Sequence, residues 1–106
     1  MAGKTRLSPA IELDGVVHER VRLAILSALG SHGQLSFNEL KALTDTTDGN
    51  LGTHCTKLED AGFIRGAKGL LGRRKRTSYE ITQAGRVALL AYLEQLEKIM
   101  GEVRGR

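Results

Sequence analysis

The 106-residue sequence holds one cysteine, one proline and no tryptophan, and its other aromatic residues are two tyrosines and two phenylalanines. A lone Cys55 excludes an intrachain disulfide and a zinc site built from several thiolates, and it suits a reducing compartment. The longest apolar run, "VALLAYL" at 87–93, is far shorter than the roughly 20 residues that span a bilayer. The first residues carry Lys4, Arg6, Glu12 and Asp14 in place of the apolar core of a signal peptide. A cytoplasmic protein without a membrane partner is therefore expected. No nucleophile stands in a pattern with a base, and no phosphate-cradling glycine motif occurs. His18, His32 and His54 are not at metal-ligand spacing with Asp or Glu. An enzyme is not expected, nor a metal, nor a cofactor, and no small-molecule effector can be identified.

What is present is local positive charge. The net charge is +4, yet the stretch 65–76 alone carries Arg65, Lys68, Arg73, Arg74, Lys75 and Arg76 with no acid, so the remainder is acidic. Charge concentrated in this way suits a polyanionic partner better than general solubility. A chain of this length makes one domain with a modest core, a size that often gains stability from a partner subunit.

Residues 1–13 mix Gly, Lys, Ser and Pro9 without periodicity and read as a flexible arm. From Asp14 the pattern turns helical, with Val17, Val21, Ala24, Ile25, Ala28 and Leu29 on one face and His18, Glu19, Arg20 and Arg22 elsewhere. Gly30 and Gly33 are expected to end that helix. In "LSFNELKAL", Ser36 and Glu39 form a capping box for a short helix with Phe37, Leu40 and Leu43 inward. Thr47 or Asp48 caps a third helix running to Asp60, with Gly62 just beyond it. Two short helices joined so tightly read as helix-turn-helix. "FIRGAK" and "RTSYEI" are strands flanking a glycine-rich basic loop, in which Leu70 and Leu71 are expected to fold back onto the domain. Thr82 caps a long fourth helix over 83–103.

That order resembles the winged-helix DNA-binding domains of small single-domain transcriptional regulators, relatives of the MarR and ArsR groups. The resemblance rests on "RLAILSAL", "LSFNELKALTDTTDGNLGTHCTKLEDAGFI" and "RRKRTSYEITQAGRVAL", and covers roughly residues 14–100. It implies an α+β, mostly α fold: a winged helix-turn-helix of three helices, a two-stranded β wing and a long C-terminal helix, occupying 14–103. It further implies a homodimer that binds double-stranded DNA and controls transcription, with the third helix in the major groove and the wing on the backbone. The paired-cysteine motif of ArsR metal sensors is missing from the third helix.

Within that frame Asp48, Gly49, Asn50, Thr53, His54, Thr56 and Lys57 are the expected DNA-facing residues of the third helix. Leu51, Cys55 and Leu58 fall on the opposite, core side by angle alone. Asn50 suits adenine, and Thr53 and Thr56 suit a phosphate or a thymine methyl. Lys68, Arg73, Arg74, Lys75 and Arg76 are the expected phosphate contacts of the wing. On the fourth helix Leu89, Leu93, Leu96, Met100 and Val103 repeat at heptad-like spacing beside Tyr92 and Ile99, and these seven are the expected dimer contacts. Two other functions remain open: a non-specific architectural or double-stranded-RNA-binding winged helix, and a protein-interaction module.

Overall fold

The computed structural model describes residues 7–71 and 74–105, with side chains omitted at 70, 71 and 74–76. Its elements are α1 (Arg20–His32), β1 (Leu35–Ser36), α2 (Phe37–Thr44), α3 (Asp48–Asp60), β2 (Ile64–Leu71), β3 (Arg74–Ile81) and α4 (Gln83–Arg104). This is the winged-helix arrangement, with one strand more than the sequence suggested.

The first helix begins six residues later than its apolar pattern. Asp14 Oδ1 accepts the Val16 and Val17 amides at 2.8 and 3.2 Å, and this local capture diverts the backbone into a turn before helix can form. Glu19 then caps α1, accepting the Arg22 amide at 2.7 Å. Gly33, at φ 82°, ends the helix in a conformation that a Cβ would disfavour, whereas Gly30 lies inside it. Val17, Val21, Ile25 and Leu29 are buried as expected, but so are Leu26 and Arg22. Residues 8–13, read as part of a flexible arm, form turns held by Ile11 N–H to Ser8 O and Glu12 N–H to Pro9 O. Gln95 of α4 secures them by donating to Pro9 O at 3.3 Å.

Ser36 serves two elements. Its extended backbone (φ −77°, ψ 163°) suits both a strand and an N-cap, so it closes the expected capping box with Glu39 while pairing with Ser78. Leu35 pairs with Tyr79, which gives a three-stranded antiparallel sheet of order β1-β3-β2. A strand of two residues is too short to leave a period in the sequence. On α2 the inward row is Phe37, Leu40 and Thr44, and Leu43 lies roughly 100° from Thr44 around the helix. Leu43 is therefore 55% exposed, contrary to the inward placement expected of it.

Thr47 caps α3 by accepting the Asn50 amide. At the far end Gly62 N–H bonds to Glu59 O and Phe63 N–H to Leu58 O, a Schellman closure with Gly62 at φ 79°. The hairpin pairs from Ile64↔Ile81 out to Leu71↔Arg74. The expected loop is thus largely strand: backbone pairing continues past the glycines, whose low strand propensity had suggested an earlier stop. The fold-back of Leu70 and Leu71 concerns side chains outside the described residues.

The core joins Leu26, Ile25, Leu29 and Val17 of the first segment to Leu40, Leu51, Cys55, Leu58, Ile64 and Tyr79, with Leu89 and Tyr92 of α4. Each such aliphatic side chain contributes roughly 1.5–3 kcal/mol on burial. The hairpin base and α4 meet closely: Thr82 N–H donates to Phe63 O, and the Thr82 hydroxyl donates to Gly62 O at 2.6 Å while accepting the Gly85 amide. A Cβ on Gly85 would lie 2.0 Å from Phe63 O. Gly85→Ala is therefore expected to cost about 3 kcal/mol, read from the denaturant midpoint. By contrast, a Cβ at Gly52 in α3 meets nothing within 4 Å, and Gly52→Ala should stabilise by up to about 1 kcal/mol.

Burial pushes the Cys55 thiol up to about 11, aided by the Glu59 carboxylate and partly offset by a hydrogen bond from Tyr79. Burial likewise raises Tyr79 to about 12, with Cys55 and Glu59 adding to the effect. Both folded values lie above the ordinary 9.0 and 10.0, so their contribution to stability is complete below pH 9 and is lost as pH rises towards 11–12. The unfolding midpoint is expected to fall across that window, and less steeply in Cys55→Ala. Thiol reagents should label native Cys55 slowly at neutral pH.

Candidate nucleic-acid interface

The interface is set by how α3 is rotated. With Leu51, Cys55 and Leu58 buried, its remaining surface presents Gly49, Asn50, Thr53, Thr56 and Lys57, all exposed. The Asn50 amide group has no partner among the described residues, so both its donor and its acceptor are available. Thr53 Oγ1 donates to Gly49 O at 3.0 Å, which leaves its lone pairs and methyl outward. Gly49 and Gly52 face open space within the chain, and no packing against α2 requires either glycine. The outer face of α3 is small, polar and unobstructed.

The other two residues expected on this helix are occupied within the chain. Asp48 Oδ1 pairs with Lys41 Nζ at 2.6 Å and ties α3 to α2 across the turn. His54 is half-buried against α1: its Nδ1 lies 3.0 Å from Arg22 Nη1 and 3.6 Å from Glu19 Oε1. Arg22 was expected on the polar side of the first helix with His18, Glu19 and Arg20, and it is instead buried, as is Leu26 one turn on.

On the wing, Lys68 is exposed opposite Thr77, and Arg76, Lys75 and Arg74 stand opposite Gly69, Leu70 and Leu71. Arg73 lies outside the described residues. Arg65 is not free, since its guanidinium bonds to Glu80, its cross-strand partner, with Nε at 2.9 Å. Arg74, Lys75 and Arg76 therefore sit at the far end of the hairpin, away from Glu80, the acid on β3.

The residues expected for dimerisation divide into three groups. Leu89 and Tyr92 are buried in the chain's own core, where Tyr92 OH also meets His18 Nδ1 at 2.8 Å. Leu96 and Ile99 are half-buried, and Leu93, Met100 and Val103 are exposed. Two further apolar residues of α4, Val87 at 58% and Leu90 at 53%, are exposed and were not anticipated. The heptad reading overlooked them because their spacing departs from its row. Among the described residues no three His, Cys, Asp or Glu side chains gather as a metal site would need, and no helix is long and apolar enough to cross a membrane.

Known proteins share this arrangement. The family model described as a winged helix DNA-binding domain matches residues 21–100. An uncharacterised protein of Methanocaldococcus jannaschii is 40% identical over 76 residues, 72% of this chain and 83% of that one. The transcriptional regulator homologue protein from Pyrococcus horikoshii OT3 is similar in structure, with a TM-score of 0.83 and 26% identity over 92% of this chain and 98% of its own. A MarR family transcriptional regulator from Silicibacter pomeroyi shares the fold, with a TM-score of 0.64 at 22% identity over 80% of this chain and 56% of its own. Both of these structural neighbours are named as transcriptional regulators or their homologues. Since the family match runs from α1 through the helix-turn-helix and the whole wing to the last turns of α4, the chain belongs to the winged helix DNA-binding domain family.

Proposed function

We propose that this protein regulates transcription as a homodimer that seats α3 in the major groove of duplex DNA and lays its wing along the phosphate backbone. The observation that carries this reading is the sorting of side chains on α3. Its apolar row is consumed by the core, while Gly49, Asn50, Thr53, Thr56 and Lys57 stand exposed on a face with no large apolar side chain. Such a face can approach base edges closely, with Asn50 matched to adenine and the threonine methyls to thymine. Asp48 and His54, already engaged by Lys41 and Arg22, act as supports of the helix and not as readers. The cations Lys68 and 73–76 supply phosphate contacts, and these govern affinity and its salt dependence without reading sequence.

Division of labour is testable with a duplex selected from genomic fragments and a random duplex of equal length. Arg74→Ala and Arg76→Ala are expected to weaken both by similar factors and to lower the salt slope by about one per lost contact. Asn50→Ala and Thr53→Ala should weaken the selected duplex by about 1–3 kcal/mol per base contact and the random one little. Wing variants that abolish preference while helix variants retain it would reverse the assignment. Uniform behaviour of both duplexes in the wild type would favour an architectural role. No salt-dependent binding to any duplex would favour a protein-interaction module.

The homodimer reading rests on α4. Val87, Leu90, Leu93, Met100 and Val103 leave an apolar surface along a helix of whose apolar side chains only Leu89 and Tyr92 are buried in the core. A second copy of α4 would cover it, with two α3 helices about 34–36 Å apart on successive major grooves. Leu93→Glu, exposed and outside the core, is expected to give a folded monomer in sedimentation and to remove cooperative binding to a palindromic site. A wild type that sediments as a monomer at micromolar concentration would rule the dimer out.

A further inference from the structure

The guanidinium of Arg22 is buried and makes three directed contacts from α1. Its Nε donates to Val16 O at 2.7 Å, its Nη2 to Gly15 O at 3.3 Å, and its Nη1 faces His54 Nδ1 at 3.0 Å. Arginine stays protonated and offers only donors, so the third contact is a hydrogen bond only if Nδ1 accepts. His54 must then be neutral with its ring proton on Nε2. The loop that provides the first two acceptors is itself referenced to α4, through His18 Nδ1 and Tyr92 OH at 2.8 Å. Arg22 thus connects the middle turn of α3 to the loop before α1 and, through it, to the long helix.

We propose that the Arg22–His54 pair positions α3 for base reading, and that it does so only while His54 is neutral, so that protonating His54 lowers the protein's preference for its own site over random DNA. The proposal rests on the reading of α3 as the DNA-reading helix. The charged groups facing the ring are Arg22 and Glu19, both from α1 and its cap; on α3 itself Lys57 lies one turn further on. A proton on Nδ1 sets two donors against each other and leaves one arm of a buried guanidinium without an acceptor. An acceptor for that proton is Glu19 Oε1, 3.6 Å away, which already holds the Arg22 amide at the start of α1. Protonation therefore pulls the ring away from Arg22 and towards the helix cap. The added cation strengthens attraction to any phosphate backbone while the loosened helix reads bases less well, so both effects reduce discrimination.

The test compares wild type, His54→Gln and His54→Leu on selected and random duplexes from pH 7.5 to 5.5 at fixed ionic strength. Gln keeps an acceptor that does not titrate in this range, whereas Leu removes it. The ratio of the two affinities is expected to fall roughly tenfold in the wild type, the scale of one charge-assisted hydrogen bond. It should stay level with pH in His54→Gln, at a value near that of neutral wild type. In His54→Leu it should be low at every pH. Ring-nitrogen shifts of the free wild-type protein at pH 7.5 are expected to show Nε2 protonated and Nδ1 bare. A level ratio in the wild type, an equal fall in His54→Gln, or a proton on Nδ1 at pH 7.5 would each overturn the proposal, the last independently of DNA. A wild type with no preference at all would remove both this inference and the function it rests on, whereas a pH-independent preference would remove this inference alone.

Discussion

Burial of one row of side chains, Leu51, Cys55 and Leu58, is the constraint from which the rest of the arrangement follows. A helix of 13 residues with three core residues has one acceptable rotation about its axis, and that rotation decides which residues meet solvent. Everything packed against the row maintains it. Leu26 and Ile25 come from α1, Leu40 from α2, and Ile64 and Tyr79 from the sheet. The Lys41–Asp48 pair and the Thr47 cap fix where the helix starts, and the Schellman closure at Gly62 fixes where it stops. A recognition surface needs this kind of fixity, because base edges are read to within tenths of an ångström by side chains that cannot correct for a mobile backbone.

The wing depends on a different balance. Six cations within twelve residues repel one another, and nothing in the core requires them. The register limits the cost, because among the described residues no cation stands directly across the ladder from another: Arg74, Lys75 and Arg76 oppose Leu71, Leu70 and Gly69, Lys68 opposes Thr77, and Arg65 opposes Glu80. What is conceded locally is recovered at the base of the hairpin. There Phe63 O takes the Thr82 amide, the Thr82 hydroxyl bridges Gly62 and Gly85, and Gly85 lets α4 start against the strand without a Cβ. The charged end of the hairpin is thus carried on a well-bonded root.

Periodicity made much of this visible in the sequence. The third helix and its buried row could be read directly, with its cap narrowed to Thr47 or Asp48, as could the Ser36–Glu39 box and the start of α4 at Thr82. What escaped was what periodicity does not encode. Asp14 delays α1 through a side-chain hydrogen bond that competes with helix, and β1 is too short to show an alternation. Glycines weaken the strand signal at 66 and 69 without ending the ladder. On α4 the apolar stripe is wider than one surface requires. Sequence alone cannot tell that Leu89 and Tyr92 are taken by the core while Val87 and Leu90, outside the expected row, are left exposed.

Arg22 shows the same limit most sharply. Burying a guanidinium is costly, and here the cost is offset by two carbonyls and an imidazole placed where the fork can reach them. An apolar side chain of similar size would fill the space between α1 and α3 and serve stability about as well. What it would lack is direction. Apolar contacts permit sliding of a few tenths of an ångström at little cost, whereas three hydrogen bonds from one rigid plane fix distance and angle together. A charged residue in that position is therefore better understood through the helix it orients than through the core it fills. The same directionality makes it sensitive, because a rigid donor has no alternative when its acceptor takes up a proton.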